Sequence, residues 1–260
     1  NDPNNLRTWN NHHTFLVCCD RHIFRNLLAT FSFTIKGDSL KVTTQRENEM
    51  KVILINPNST EAMTVSSIEA AQRAVPEIEF VGWTSFRGPR SIQGPEDGEQ
   101  AIGPLLELVN KAVVEKPLAI ILGCFDDTGL QKAKQICECP VLGIGEASFV
   151  LSSLHSSQTA VITTVKEAVP IIKNNISNLG YQNIVTDVIA ADAEVLELEY
   201  NQSGSAMKFA QASESLNPKI KNIILGCAGA VNIKNEFERL TGYTTFDGVT
   251  SAAKLCRALL

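Results

Sequence analysis

The hydrophobic residues of this chain come in short unbroken runs, and each run stops at a polar loop that leads into a longer segment with helical spacing. Residues 51–55 (KVILI) end in Asn-Pro-Asn-Ser-Thr, after which residues 61–75 carry apolar side chains at intervals of three and four. That order predicts strand, loop and helix. Ala119–Leu122 runs into Gly-Cys-Phe-Asp-Asp-Thr and then into the helical pattern of residues 130–137, and residues 141–144 form another short strand. From Thr159 the pattern restarts. Ala160, Val161 and Ile162 read as strand, Thr163 and Thr164 as loop, and residues 165–179 as a helix closed by Gly180, a residue suited to a helix C-terminus. Apolar runs of four or five residues with no alternating polar position are what strands show when buried on both faces. Their alternation with helices points to parallel sheet covered by helices.

One of these runs is written twice. The pentapeptide IILGC ends at Cys124 and again at Cys227. Each copy follows, at a similar distance, a strand that ends in a loop rich in amides or hydroxyls. Two related α/β units explain the matched order better than one continuous sheet. The expected fold is therefore α/β, two pseudo-symmetric parallel-sheet domains with the active site in the cleft between them. The expected bounds are 50–147 for the first domain and 148–246 for the second, with the change-over near 146–157. A C-terminal helix at about 247–260 is expected to pack back onto the first.

Residues 1–49 do not share this pattern. They hold three of the four histidines, among them His12, His13 and His22 beside Cys18 and Cys19. All five are metal-ligand types, but their spacing matches no familiar zinc pattern. The segment is read as a poorly ordered extension ahead of Met50. In the 260 residues as a whole, 44% are hydrophobic and the net charge is −5, which suits a protein with a sizeable core. Without a run rich in Lys and Arg there is no electrostatic footprint for nucleic acid, and no apolar stretch is long enough to span a membrane. Seven cysteines, an odd number in a chain with no clear secretory leader, favour free thiols in a reduced cytoplasm. The expected partners are a small-molecule substrate and, by self-association, a homo-oligomer.

In open parallel sheets ligands bind beyond the carboxyl ends of the strands, where Cys124 and Cys227 are expected. A thiol at such a place is expected to sit near a helix N-terminus that lowers its pKa, with the preceding glycine allowing a tight bend. A buried inert cysteine is common at a strand end, but core packing offers no reason to repeat that residue type in two related units. Cys137, Cys139 and Cys256 lack this setting and read as core or surface residues. Two thiols facing one cleft suit inversion at carbon. One removes a proton next to a carbonyl while the other donates a proton from the opposite side, with no cofactor and no metal required.

Several segments taken together, Ile55-Asn56-Pro57-Asn58-Ser59-Thr60, Gly88-Pro89-Arg90-Ser91-Ile92, Gly123-Cys124-Phe125-Asp126-Asp127-Thr128-Gly129-Leu130, Val161-Ile162-Thr163-Thr164 and Leu225-Gly226-Cys227-Ala228-Gly229, resemble the hydantoin racemase branch of the aspartate/glutamate racemase superfamily, which includes allantoin racemase. The resemblance runs from Met50 to the C-terminus. It implies a cofactor-independent isomerase in which Cys124 and Cys227 match the two catalytic cysteines. It further implies that Asn56, Ser91, Thr163 and Thr164 hold the substrate ring, and that backbone N–H groups after each cysteine, at Phe125, Asp126, Ala228 and Gly229, serve its carbonyls. Asn56 and Asn58 are also open to plain loop and cap duty. Gln93 stands where an acidic residue is expected, Thr128 where proline is frequent and Ala230 where methionine is frequent.

Two other functions remain open to this sequence. One is a decarboxylase or isomerase of the arylmalonate decarboxylase or maleate isomerase type, against which the presence of both thiols argues. The other is a non-catalytic ureide- or hydantoin-binding protein, which would lack a thiol titrating well below 8.5. Because the strand-loop-helix pattern begins only at Lys51, a chain starting at Met50 is expected to keep its melting temperature and its activity. Thermal unfolding and assay of the two lengths check this, and a large drop in melting temperature would overturn it.

Overall fold

The computed structural model describes residues 31–36, 39–44, 51–155 and 158–259. In the N-terminal unit, Asn1–Glu49, β1 (Phe31–Lys36) and β2 (Ser39–Thr44) pair as an antiparallel ribbon. The histidine and cysteine group at positions 12–22 lies outside the described residues.

The second unit, Met50–Leu260, carries the α/β pattern. It opens with β3 (Lys51–Asn56), α1 (Glu61–Ala74), β4 (Glu79–Thr84), α2 (Pro95–Val114), β5 (Ala119–Leu122), α3 (Leu130–Ile136), β6 (Val141–Gly143) and α4 (Ile144–Ser153). It continues with β7 (Gln158–Thr163), α5 (Val169–Asn178), β8 (Val185–Ala190), α6 (Glu197–Tyr200), α7 (Gln202–Ser213), β9 (Ile220–Gly226), α8 (Lys234–Thr241), β10 (Thr244–Asp247) and α9 (Gly248–Arg257). The strands form two four-stranded parallel sheets, ordered β4-β3-β5-β6 and β8-β7-β9-β10. The two orders superimpose term by term. The strand that runs toward Cys124 is therefore the counterpart of the one that runs toward Cys227, which accounts for the repeated pentapeptide.

The unbroken apolar runs behave as fully buried strands. In β3, Val52 and Leu54 face a core shared with the second sheet, whereas Ile53 and Ile55 face the other way, onto Leu105, Val109 and Ala112 of α2 and Leu130 and Ala133 of α3. β5 divides by the same parity, with Ala119 and Ile121 on the shared side and Ile120 and Leu122 on the other. Each such side chain removed from water contributes roughly 1.5–3 kcal/mol, and the period-two pleat lets one strand contribute to two cores. The shared core also takes in Met63 and Ala70 of α1, Phe149 of α4, Val161 of β7, Ile224 of β9 and Val249 of α9. α9 packs on α4 and α1 and begins at Asp247, whose carboxylate accepts the Thr250 N–H at 2.8 Å. The helix expected from residue 165 starts as α only at Val169. Pro170 lies in its first turn, where its missing N–H costs nothing, and a 3-10 turn at Lys166–Ala168 leads into it.

One contact fixes the loop after β5. The Asp127 carboxylate accepts N–H bonds from Gly145 at 3.0 Å and Glu146 at 2.8 Å, capping the otherwise unpaired first turn of α4. This close approach needs bare backbone, since a Cβ on Gly145 would run into the Phe125 carbonyl oxygen and lie 2.8 Å from Asp127 Oδ2. Alanine is the better helix former by about 1 kcal/mol, so helix propensity alone predicts that Gly145→Ala stabilises the protein. The clash with backbone is expected to win, with a net loss of roughly 2 kcal/mol or more. Urea denaturation measures it, and an unchanged or raised midpoint would refute the packing argument.

Candidate active site

Past the carboxyl ends of β3, β5, β7 and β9 lies a partly open pocket with about 370 Å³ of free space, its mouth included. From the first half it is lined by Asn58, Met63, Ile92 and the run from Gly123 to Asp126. From the second come Thr163, Thr164, Ala168, Val195 and the run from Gly226 to Ala228. Both cysteines predicted to carry the chemistry are in this list, and both are buried, Cys124 to 9% and Cys227 to 7% exposure. Phe125, Asp126, Thr163, Thr164 and Ala228 also line the pocket.

Asn56, Ser91 and Gly229 do not. The Asn56 side chain is used up within its own loop and the start of α1: its two amide N–H are shared among Asn58 Oδ1 at 3.0 Å, the Thr60 carbonyl at 3.1 Å and Thr64 Oγ1 at 3.1 Å, and its Oδ1 accepts from the Asn58 N–H. It orients Asn58, which reaches the pocket in its place. Gly229 lies one residue beyond the lining, where a Cβ would stand 3.3 Å from Glu199 Oε1, and Ser91 precedes the lining residue Ile92. Met63, Ile92, Ala168 and Val195 were not legible as site residues, because an apolar side chain facing a ligand looks like one facing a core. Asn58 carried a signal, being an amide two residues past a strand end, but cap duty explained it equally well.

The glycines before the cysteines both line the pocket. Among the described residues neither Gly123 nor Gly226 has positive φ. Both sit in close quarters, since a Cβ on Gly226 would lie 3.0 Å from Val161 Cγ1 and 3.1 Å from Thr163 Cβ, and one on Gly123 would lie 3.3 Å from Leu54 Cδ2. Thr163 spends its hydroxyl proton on the Gly226 carbonyl at 2.9 Å, which fixes the residue before Cys227.

The thiols also depart from the expected low pKa. Cys124 is followed by a turn rather than a helix, its carbonyl accepting the Asp127 N–H, and α3 begins only at Leu130. Burial pushes its thiol well above the ordinary range, and the carboxylates of Asp126 and Asp127 add to this. The Thr128 hydroxyl, 3.5 Å from the sulfur, and the Asp126 N–H ease it. Cys227 does stand at the N-terminus of a short 3-10 helix, Ala228–Asn232. Burial nevertheless pushes its thiol up to about 12, with Asp126 and Glu199 reinforcing the shift and the N–H groups of Gly229 and Ala228 opposing it. Removal from water outweighs two or three N–H dipoles. Asp126 acts on both sulfurs, and its own carboxyl is raised to about 7 by burial. Both shifts favour the neutral thiol, so a thiol titrating well below 8.5 does not separate an enzyme from a binding protein here. A thiolate formed in this pocket would be scarce but strongly basic.

Three polar contacts join the halves around this pocket. Asn175 of α5 donates to the Asp126 carbonyl at 2.8 Å, Ser66 of α1 to Glu199 Oε1 at 3.3 Å, and the Val195 N–H to Gln93 Oε1 at 3.1 Å. Among the described residues no three His, Cys, Asp or Glu side chains are grouped as metal ligands, and no helix is long and apolar enough to cross a membrane.

Comparison with known proteins agrees with this geometry. A hydantoin racemase of Rhizobium meliloti is 32% identical over 216 residues, covering 81% of this chain and 89% of the relative. The structure of an allantoin racemase from Klebsiella pneumoniae matches with a TM-score of 0.76 at 25% identity, covering 81% of this chain and 87% of its own. That of allantoin racemase from Pseudomonas fluorescens matches with a TM-score of 0.76 at 26% identity, covering 81% and 90%. The family model for Asp/Glu/hydantoin racemases matches residues 52–256, which takes in both sheets, both pocket cysteines and nearly all of α9. The chain belongs to the Asp/Glu/hydantoin racemase family.

Proposed function

We propose that this protein is a cofactor-independent racemase of 5-substituted hydantoins, with allantoin the first candidate, and that Cys124 and Cys227 are its two acid/base groups. The observation that carries this reading is the placement of two thiols at corresponding strand ends of two equivalent sheets, in one pocket. The names of the relatives support the substrate class. So does the lining, which among the described residues includes no Lys, Arg or His to pair with an anionic substrate and holds one carboxyl, Asp126. A neutral ring with carbonyls and N–H groups suits such a site better than a free dicarboxylic amino acid. Free thiols at Cys124, Cys137, Cys139, Cys227 and Cys256 fit work in a reducing cytoplasm.

In the reaction, the thiolate of one cysteine takes the C5 proton, and the C–H electron pair moves onto the neighbouring carbonyl oxygen to form an enolate. The other thiol then returns a proton to the opposite face of C5, and the two sulfurs have exchanged protonation states. Backbone N–H groups after the cysteines are suited to stabilising the enolate oxygen as its charge develops. Thr163, Thr164 and Asn58 are proposed to orient the ring, with Asn56 and Ser91 acting from behind the lining.

Polarimetry on single-enantiomer hydantoins, allantoin included, is expected to show loss of rotation without change of mass. Retained rotation across the panel would sink the reading. Cys124→Ser and Cys227→Ser are each expected to abolish racemisation, because a serine hydroxyl is a far weaker acid than a thiol. Each should still exchange the C5 proton of one enantiomer in deuterated water, with opposite preference in the two variants. Proton NMR reads this, and a shared preference would replace the two-base assignment with a one-cysteine mechanism.

The raised thiols also set a pH dependence. Thiolate is a small fraction at any pH far below the thiol pKa and grows about tenfold per pH unit. Asp126 ionises near 7, and its charge then opposes thiolate formation, so the slope is expected to be shallow around pH 7. From pH 8 to 10, kcat/KM corrected for spontaneous exchange should climb by about tenfold per unit. A plateau by pH 8.5 would mean that a thiol titrates at its ordinary value.

A further inference from the structure

We propose that Gln93 is a positioning residue that sets which 5-substituents the pocket admits, by fastening the loop that carries Ile92 to the loop that carries Val195. This rests on the hydantoin racemase reading. Gln93 makes no contact with the pocket itself. Its two neighbours in the argument do, since Ile92 from the first half and Val195 from the second both line it, at 9% and 4% exposure.

The geometry is that of a latch with a fixed base. The Gln93 N–H donates to Asp97 Oδ2 at 2.9 Å, and Asp97 lies in the first turn of α2, so the backbone of the loop is tied to a 20-residue helix of the first half. Its side chain points the other way and accepts the Val195 N–H at 3.1 Å, from the segment between β8 and α6. The next residue passes near the second half, since a Cβ added at Gly94 would stand 3.4 Å from Glu167 Cβ, and Glu167 precedes the lining residue Ala168. Residues 92–94 are therefore bonded to the second half at a lining residue, Val195, and pass near it beside another, Ala168. The side chains of Ile92, Val195 and Ala168 are apolar. They can discriminate by shape alone, which requires that they be held at a fixed spacing. A neutral amide holds them independently of pH. A carboxylate at this position would also accept the Val195 N–H, so Gln93→Glu is the conservative test and Gln93→Ala the disruptive one.

Two measurements on the full chain decide the matter. Amide hydrogen exchange at Val195 needs no turnover, and Gln93→Ala is expected to speed it at least about fivefold, with Gln93→Glu restoring protection, as loss and recovery of one net hydrogen bond require. Kinetics on 5-methylhydantoin and 5-benzylhydantoin form the second arm. In Gln93→Ala the KM for the methyl compound should rise several-fold with kcat changed less than twofold. The kcat/KM ratio should shift at least about fivefold toward the benzyl compound, and Gln93→Glu should reverse both. Unchanged exchange at Val195 would show that there is no latch. Faster exchange with an unshifted ratio would reduce Gln93 to a structural role and overturn the proposal. If the parent chain racemised no hydantoin of the panel, allantoin included, the racemase reading would fail, while the exchange arm would still decide whether the latch exists.

Discussion

A parallel sheet buried on both faces leaves a single kind of opening, the rim where its strands end. Here each sheet is roofed by helices on the side away from its partner and sealed by a shared core on the other. Side chains of one strand reach both cores by alternation, as Val52 and Leu54 against Ile53 and Ile55 demonstrate. Polar chemistry is thereby expelled to the carboxyl rim, and because the two sheets have the same strand order, their rims present equivalent residues to one another. The pairing of Cys124 with Cys227 follows from that constraint. It requires no special device beyond a second copy of the same arrangement.

Holding the rim in place takes several small interactions, none of which involves either pocket sulfur. Asp127 pins the Cys124 loop to the first turn of α4, Thr163 holds the carbonyl before Cys227, and Asn56 folds its loop so that Asn58 faces inward. The Thr163 and Asn56 bonds are buried and the Asp127 pair is half-buried, and bonds whose groups are so satisfied give rigidity rather than cost. The same enclosure acts on the sulfurs. Removing them from water raises both thiols more than the nearby N–H groups lower them.

Three residues that stood out in the sequence, Thr128, Gln93 and Ala230, take different places near the pocket. Thr128 sets a hydroxyl 3.5 Å from the Cys124 sulfur, and Gln93 spans the two halves. Ala230 is fully buried in the 3-10 helix after Cys227, outside the lining, and Met63 of α1 supplies a methionine to the pocket from the other half.

The central strands, the loops after them and the two cysteines were legible from the amino-acid order because fully buried parallel strands must be written as unbroken apolar runs. The flanking strands were not. β4 and β8 mix exposed and buried positions, and their sequences, EFVGWT and VTDVIA, lack both a clean alternation and a solid run. What the sequence by itself determined was local, namely the period of each element, the repeat that doubles the unit and the residue types at strand ends. What only the tertiary structure decided was which atoms meet. Asn58 rather than Asn56 faces the pocket, the thiols are raised rather than lowered, Gly145 must be bare for Asp127, and Gln93 reaches Val195. Each of these depends on the distance between segments far apart in the chain, and on how much water their packing excludes, and neither quantity is written in any one segment.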